Sequence, residues 1–430
     1  MNKIIKKTIP VALIMTLMMT GCSASVVHTS DETYDSTFSK TVETLKNDSL
    51  ENVEETSGSE IYDAAFSKRD LSGEYDANDA VEILLNKNNA NCEESSVIVD
   101  GSVVTITEEG TYILSGELNG SIIIDATKED KIQLVLDGVI INSDTFAAIY
   151  VKQADKVFIT LAEGTYNSLS NSGTFEQIDD NDVNAVIYAK DDITFNGTGS
   201  LNIISPSGNG ISGKDEVTIT NGTYKISAAN HAIRAKDTLA IADGTFDLTA
   251  GKDGLHAEND DDETLGSIYI ADGDFTINVS DDAIHANTFL QIDNGTFDIT
   301  AAEGLEATYI RINDGTINIS ASDDGVNAAY KSSAYVPTFE MNGGTLTIKM
   351  AQGDTDGVDS NGNLIINGGT IDVTGQSAFD YDGSAQYNGG TLIINGQQVS
   401  SIPNQMMGGH GGFKDGNREG NSNGRNGSIR

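Results

Sequence analysis

Polar side chains able to bind a metal ion recur at two fixed positions of a short motif in the second half of the chain. One copy reads Asp-Gly-Leu-His-Ala at 253–257, and its first and fourth residues vary between copies. The first position holds Asn209, His231, Asp253, Asp282, Glu303, Asp324, Asp356 and Ser377. The fourth position holds Ser212, Arg234, His256, His285, Glu306, Asn327, Asp359 and Asp380. Carboxylate and amide oxygens are the ligands that Ca²⁺ prefers, whereas imidazole favours a transition metal.

The spacing of these acidic residues predicts an electrostatic problem that a cation would solve. If successive copies stack as neighbouring strands, equivalent side chains lie about 4.8 Å apart. Two carboxylates at that separation repel each other by about 3 kcal/mol at an effective dielectric constant near 20. We identify no matching column of basic residues in the sequence. The carboxylates therefore either splay into water or bind cations between the copies.

Of these two interpretations we favour bound cations, and we predict calcium as the cofactor. The predicted calcium ligands are Asp253, Asp282, Glu303, Glu306, Asp324, Asp356, Asp359 and Asp380. The histidines His256 and His285 leave three interpretations open: polar turn residues, ligands of sugar hydroxyls, or ligands of a transition metal.

A glycine-anchored repeat surrounds the motif and predicts the elements that position it. Segments such as Asn294-Gly295-Thr296 return at intervals of about 20 to 29 residues, a period typical of solenoids. Each interval carries two pairs of alternating apolar residues, such as Phe246 and Leu248, and one single apolar residue, such as Leu255. Alternation puts the apolar side chains on one face of a strand. The sequence therefore predicts an all-β parallel β-helix with three strands per coil over residues 79–402.

The residue before each glycine anchor predicts a structural column in the turns. It is Asn or Asp in every copy from Asn221 to Asn388. These residue types tolerate the left-handed backbone that such turns need. In this alignment Asp314 and Asn342 are neighbours in the column.

Both ends of the chain predict segments outside the solenoid. Residues 1–21 combine lysines with a short apolar run, which is typical of an export signal, and Met19-Thr20-Gly21-Cys22 resembles a bacterial lipobox. We expect Cys22 to be lipidated and to anchor the protein at the extracellular face of the cell membrane. Residues 22–78 are acidic and poor in apolar residues, which predicts a disordered tether. The Gly/Asn-rich residues 403–430 predict a disordered tail.

The composition limits the partners. The chain has 430 residues and a formal net charge of −40, which excludes a nucleic-acid binder that needs a basic surface. Apart from Cys22 the only cysteine is Cys92, so no disulfide framework can form, and we interpret Cys92 as a small buried or half-buried thiol. We expect a monomer.

The chain resembles a family of bacterial surface lipoproteins called carbohydrate-binding domain-containing proteins. The resemblance covers about residues 79–402 and rests on the following motifs. They are Gly110-Thr111-Tyr112-Ile113-Leu114-Ser115-Gly116, Leu136-Asp137-Gly138-Val139, Ala147-Ala148-Ile149-Tyr150, Gly197-Thr198-Gly199-Ser200-Leu201 and the repeated glycine anchors. It implies a right-handed parallel β-helix of the polysaccharide-lyase type, Ca²⁺ at acidic turns, and polysaccharide binding without cleavage.

We therefore predict a surface-anchored, calcium-stabilised protein that binds a polysaccharide and is not an enzyme. The candidate carbohydrate-binding residues are Tyr269, Arg311, Tyr330 and Tyr381. One alternative is a Ca²⁺-dependent lyase of acidic glycans, in which Arg234, Lys252 or Arg311 would abstract a proton. The other alternative is an adhesive or structural spacer at the cell surface.

Overall fold

The computed structural model describes residues 65–353 and 355–404, and it forms the predicted parallel β-helix. The 36 elements assigned in this part of the chain are all β-strands, joined in one long sheet. The predicted signal peptide, Cys22, most of the tether, and the tail from residue 405 lie outside the described residues. Among the described residues no helix is long and apolar enough to cross a membrane.

The strands follow one another through short turns. The first eighteen are β1 (Val81–Lys87), β2 (Ala90–Asn91), β3 (Val97–Asp100), β4 (Val103–Ile106), β5 (Gly110–Leu118), β6 (Ser121–Asp125), β7 (Lys131–Ser143), β8 (Ile149–Gln153), β9 (Lys156–Leu161), β10 (Tyr166–Asn171), β11 (Ala185–Ala189), β12 (Asp192–Gly197), β13 (Ser200–Ser205), β14 (Asn209–Gly213), β15 (Glu216–Ile219), β16 (Thr223–Ala228), β17 (Ile233–Ala235) and β18 (Thr238–Ile241). The remaining eighteen are β19 (Thr245–Ala250), β20 (Leu255–Ala257), β21 (Ser267–Ile270), β22 (Asp274–Val279), β23 (Asp282–Ile292), β24 (Thr296–Ala301), β25 (Glu303–Ile312), β26 (Thr316–Ala321), β27 (Val326–Ala328), β28 (Thr338–Met341), β29 (Thr345–Met350), β30 (Asp356–Ser360), β31 (Asn363–Ile366), β32 (Thr370–Thr374), β33 (Ser377–Tyr381), β34 (Ala385–Tyr387), β35 (Thr391–Ile394) and β36 (Gln397–Val399).

From β8 to β35 each coil contributes one strand to each of three parallel stacks. Stack 1 contains β8, β11, β14, β17, β20, the first half of β23, the first half of β25, β27, β30 and β33. Stack 2 contains β9, β12, β15, β18, β21, the second halves of β23 and β25, β28, β31 and β34. Stack 3 contains β10, β13, β16, β19, β22, β24, β26, β29, β32 and β35.

The apolar stripes predicted from the alternation form one continuous core. In stack 3 the rings of Tyr224, Phe246, Phe275 and Phe297 lie in register on successive coils. The Phe246 and Phe275 ring centroids are 4.6 Å apart with an interplanar angle of 3°. Stacked aromatic pairs of this kind contribute about 0.5–1.5 kcal/mol beyond the apolar area that they bury. The ring column therefore fixes the register of neighbouring coils as well as filling the core.

The amide ladder in the turns differs from the predicted column in its alignment. The side chain of Asn342 donates to Asn313 Oδ1 at 2.8 Å, and Asn367 donates to Asn342 Oδ1 at 2.8 Å. Since Met341 pairs with Ile312 and Thr345 with Thr316, Asn342 follows Asn313 and not Asp314. In the later copies the first of two glycines takes the place of Asp314, which shifts the amide by one residue.

The predicted boundary of the tether at residue 78 is wrong, because part of this segment packs against stack 2. Phe66 is buried, and its ring centroid lies 5.9 Å from that of Tyr269. Asp70 is also buried and forms an ion pair with Lys156 at 2.8 Å and a hydrogen bond with the Thr194 hydroxyl at 2.6 Å. Hydrogen bonds from Asn196 and Thr220 to the Asp70 carbonyl also hold this segment in place, although its average composition is that of a tether.

Candidate functional site

The register of stack 1 aligns the two acidic columns as the motif predicts. In the fourth-position column, His256 pairs with His285, His285 with Glu306, and Glu306 with Asn327. The column continues through Asp359 to Asp380. In each copy one inward apolar side chain, such as Leu255, lies between the two column positions. The polar column side chains point away from that core residue.

The small residue at the second motif position allows neighbouring coils to approach closely. A Cβ atom on Gly254 would lie 2.6 Å from the carbonyl oxygen of Ala283 and 2.8 Å from a methyl group of Ile277. Contacts this short require the backbone to move. Coil packing therefore explains the glycine of the motif, but it does not explain the acidic residue that precedes the glycine.

At the N-terminal end of the columns, one carboxylate faces two imidazole rings. Asp253 Oδ2 lies 2.6 Å from His256 Nδ1 and 3.1 Å from His231 Nδ1. The His231 Nδ1 atom is buried and is not aligned for a hydrogen bond. The other ring nitrogen of His256, Nε2, lies 3.2 Å from Glu258 Oε2. The three histidine rings stack, with centroid distances of 4.2 Å between His231 and His256 and 4.9 Å between His256 and His285.

One coil further on, the arrangement is reversed, and one imidazole nitrogen faces two carboxylates. His285 Nδ1 lies 2.9 Å from Asp282 Oδ2 and 2.7 Å from Glu306 Oε2. Burial alone would lower the pKa of His285, but the hydrogen bonds and charges of Asp282 and Glu306 raise it to about 10. His285 is therefore an imidazolium at neutral pH. Lys331 adds a second cation, with its Nζ 2.7 Å from Glu306 Oε1.

Although the sequence shows no matching basic column, two single cations compensate Glu306 in the structure. His285 and Lys331 hold the pKa of Glu306 below its usual range against the opposing effect of burial. The sequence places His285 in the column. Only the contacts of its ring with Asp282 and Glu306 show that it carries a positive charge. Lys331 lies in the connection after β27, outside the repeat, and no sequence signal indicates that it reaches Glu306.

At the C-terminal end of the columns, acidic side chains lie close to one another. Burial and the neighbouring acidic residues raise the pKa of Asp324 to about 6 and that of Asp359 to about 7. The same causes raise the pKa of Glu303. Asn327 donates through Nδ2 to Glu303 Oε2 at 3.0 Å, and its buried Oδ1 has no hydrogen-bond partner. These oxygens form a set of hard donors of the kind that binds Ca²⁺.

Three groups of side chains among the described residues can hold a metal ion, with ligand atoms lying within 4.8 Å of one another. They are His231 with Asp253 and His256, Asp253 with Asp282 and His285, and Asp282 with Glu303 and Glu306. Of the predicted calcium ligands, Asp253, Asp282, Glu303 and Glu306 thus lie in compact groups. Asp324, Asp356, Asp359 and Asp380 continue the same two columns, where the backbone N–H of Asp356 donates to Asp324 Oδ1 at 2.8 Å.

The predicted carbohydrate-binding residues have different environments, and one prediction is wrong. Tyr269 is fully buried beneath Phe66 and Phe289, and its hydroxyl donates to Asp293 Oδ2 at 2.7 Å, so it offers no face to a sugar. Its position on the outer side of stack 2 suggested exposure, but the N-terminal segment covers that side. Arg311 is mostly buried and forms an ion pair with Glu340 at 2.9 Å.

The other two candidates lie outside this covered surface. The side chain of Tyr330 is 69% exposed, and Tyr381 is half-buried against the core. Tyr330 directly precedes Lys331, whose ammonium group contacts Glu306 in the acidic column. Of the residues suggested as lyase bases, Lys252 is exposed and Arg234 is half-buried in the fourth-position column between Ser212 and His256.

Comparison with known proteins assigns the chain to a family. The profile of the carbohydrate-binding domain-containing proteins matches residues 100–357 and 305–401, so the chain belongs to that family. A carbohydrate-binding domain-containing protein of Acetivibrio thermocellus is 43% identical over 128 residues, which is 29% of this chain and 45% of that relative. The chain thus spans about half the length of that relative.

A solved structure resembles the solenoid. It is described as the polysaccharide lyase-like protein from C. thermocellum, in a gadolinium derivative. The TM-score is 0.51 and the sequence identity 34%, over 56% of this chain and 96% of the solved chain. The similarity supports the parallel β-helix as the family architecture.

Proposed function

We propose that this protein binds a polysaccharide at the cell surface without cleaving it, and that Ca²⁺ in the acidic columns stabilises the binding surface. The observation that carries the proposal is the position of Tyr330, an exposed aromatic ring next to Lys331, which contacts the column. An aromatic ring offers an apolar face with a polar edge, which suits the apolar faces and hydroxyl groups of a sugar. Membership of the carbohydrate-binding family supports the same ligand class.

The residues that fit calcium best are those of the C-terminal end of the columns. Asp324, Asp356, Asp359 and Asp380 supply carboxylate oxygens, and Asn327 supplies an amide oxygen without a hydrogen-bond partner. All of these are hard donors of the kind that Ca²⁺ prefers. A bound Ca²⁺ would balance their charge and offer further coordination positions to sugar oxygens. The relative of known structure carries gadolinium, another hard cation, which is consistent with such a donor set.

The net charge of −40 gives calcium a second role in this proposal. An acidic glycan is repelled by the acidic columns, and a bridging dication removes the repulsion. Binding to polygalacturonate or alginate should therefore require Ca²⁺, whereas binding to cellulose should not. The chelator dependence distinguishes the two classes of glycan.

The test is a pull-down of the full chain with insoluble cellulose, calcium pectate and calcium alginate. Tyr330→Ala should weaken binding. Tyr166→Ala is the matched control and should not weaken it, because Tyr166 is also exposed, at 62%, but lies in stack 3 and not beside the acidic columns of stack 1. Equal retention of both variants would contradict the assigned surface. Unsaturated product absorbing in the ultraviolet would support the lyase alternative instead. Failure to bind any of the glycans, together with no product, would support a spacer.

The surface location rests on the N-terminal sequence, and Cys22 lies outside the described residues. We propose that a lipid on Cys22 holds the protein at the outer face of the membrane. Metabolic labelling with a fatty acid should mark the wild-type chain, and Cys22→Ser should abolish the label. A labelled Cys22→Ser variant would contradict the lipid anchor.

A further inference from the structure

Two histidines and an aspartate at the N-terminal end of the columns have the chemistry of a transition-metal site. The oxygen Asp253 Oδ2 is faced by two imidazole nitrogens, His256 Nδ1 at 2.6 Å and His231 Nδ1 at 3.1 Å. Ligands of a tetrahedral zinc ion at about 2.0–2.1 Å from the metal lie roughly 3.3 Å from one another. Both separations from Asp253 are therefore close to those of a metal-bound set, and all three ligand atoms lie within 4.8 Å of one another.

The surrounding side chains orient these nitrogens as ligands. Glu258 Oε2 lies 3.2 Å from His256 Nε2, so the carboxylate can accept a hydrogen bond from Nε2–H and leave the Nδ1 lone pair for a metal ion that Asp253 also binds. A carboxylate behind a histidine is the usual support of a metal-binding imidazole, because it fixes the tautomer and raises the basicity of the ring. The His231 Nδ1 atom is buried and lies 3.1 Å from Asp253 Oδ2 without the alignment of a hydrogen bond, so a metal ion between the two atoms could bind both.

The charges around the metal-free site cancel. Asp253 and Glu258 are negative, whereas Arg234, which pairs with His256 in the register, and Lys252, which precedes Asp253, are positive. The neighbouring His285 does not compete as a ligand, because its Nδ1 already lies between Asp282 and Glu306.

We propose that His231, Asp253 and His256 bind a divalent first-row transition-metal ion, with Glu258 as the supporting carboxylate. The ligand set of two imidazoles and one carboxylate suits Zn²⁺ or Co²⁺ and disfavours Ca²⁺, which binds oxygen donors. His231 and Asp253 lie on successive coils, so the bound ion would crosslink these two coils of stack 1. The site is separate from the proposed calcium ligands at the other end of the columns and does not depend on glycan binding.

The test uses cobalt as a spectroscopic probe on the full chain, purified without a polyhistidine tag and treated with a chelator. Co²⁺ should produce a visible d–d absorption band at one equivalent, Zn²⁺ should displace it, and excess Ca²⁺ should leave it unchanged. His256→Gln and His231→Gln should abolish the band. Glu258→Gln should weaken Co²⁺ binding about 10- to 100-fold, as expected for a supporting carboxylate.

Two variants serve as matched controls for the cobalt absorption experiment. His285→Gln removes a histidine that stacks on His256 but is held by carboxylates, and it should retain the cobalt band. Cys92→Ser removes the free thiol within the described residues and should also retain it. Thermal unfolding of each variant without metal shows whether it is folded. Absence of a cobalt band in the folded wild-type chain, or its persistence in His256→Gln and His231→Gln, would overturn the proposal.

Discussion

Replacing His285 tests whether the protein carries its own cation in the acidic columns. In His285→Gln the carboxylates of Asp282 and Glu306 lose the imidazolium that lies 2.9 Å and 2.7 Å from them. The side chains of all three residues are at most 11% exposed, so water screens the remaining charges poorly. Removing one partner of a buried ion pair typically costs about 3–5 kcal/mol. Because Lys331 still pairs with Glu306, we expect a loss of about 2–4 kcal/mol at neutral pH.

The assay must report local stability, because each coil of a solenoid contacts mainly its neighbours. Amide hydrogen exchange in β23 and β25 gives the free energy of opening at these two coils. The double variant His285→Gln/Glu306→Gln is the matched control, since it removes the cation together with one of the carboxylates that need it. The additional loss caused by His285→Gln in the Glu306→Gln background should fall below about 1–2 kcal/mol.

The same variant also tests whether added Ca²⁺ can replace the His285 imidazolium. With His285 absent, Asp282, Glu303 and Glu306 form a set of oxygen donors whose charge Lys331 alone balances in part. Added Ca²⁺ should therefore restore protection in β23 and β25 of His285→Gln. An opening free energy within about 0.5 kcal/mol of the wild type, which is the range of neutral surface substitutions, would refute the assignment of His285 as a structural cation.

Three further predictions concern the solenoid and its N-terminal segment. Burial alone would raise the pKa of Asp70, but the charge of Lys156 and the hydrogen bonds to Asp70 lower it, so the pair stabilises docking above the unfolded pKa of about 3.9. That contribution is lost as the pH falls through the lower folded value, and Asp70→Asn should remove this acid step from the hydrogen exchange of residues 65–72. Phe297→Ala should cost about 3–5 kcal/mol in chemical unfolding, because it leaves a cavity in the ring column. Asn367→Ala breaks two ladder hydrogen bonds at an exposed turn and should cost only about 1 kcal/mol in the same assay, and a loss as large as that of Phe297→Ala would contradict this assignment.

The sequence predicts the features that every coil repeats. Phe246, Leu248 and Leu255 recur at equivalent positions, so their alternation was enough to predict strands, stacks and core. The alignment of His256 with His285 and of Asp359 with Asp380 followed from the same repeat. A repeating pattern specifies the neighbours of each residue because successive coils stack in a fixed register.

Features that occur once were the ones that could not be predicted. The burial of Tyr269 depends on Phe66, about two hundred residues earlier and outside the repeat. The neutralisation of Glu306 depends on Lys331, which a single longer connection brings to the column. The one-residue shift of the amide ladder at Asn342 depends on which of two glycines aligns with Gly315. Each of these three features depends on a long-range contact or a local alignment that composition and periodicity do not determine.

Calcium binding by the acidic columns can be measured by calorimetric titration of Ca²⁺ into the chelator-treated full chain. We expect saturable binding that is lost or strongly weakened in Asp359→Asn. Binding should be unchanged in Asp298→Asn, which removes one negative charge from an exposed position on stack 3. Absence of heat together with an unchanged melting temperature in the wild type, or equal binding by Asp359→Asn and the wild type, would contradict calcium binding at the C-terminal end of the acidic columns.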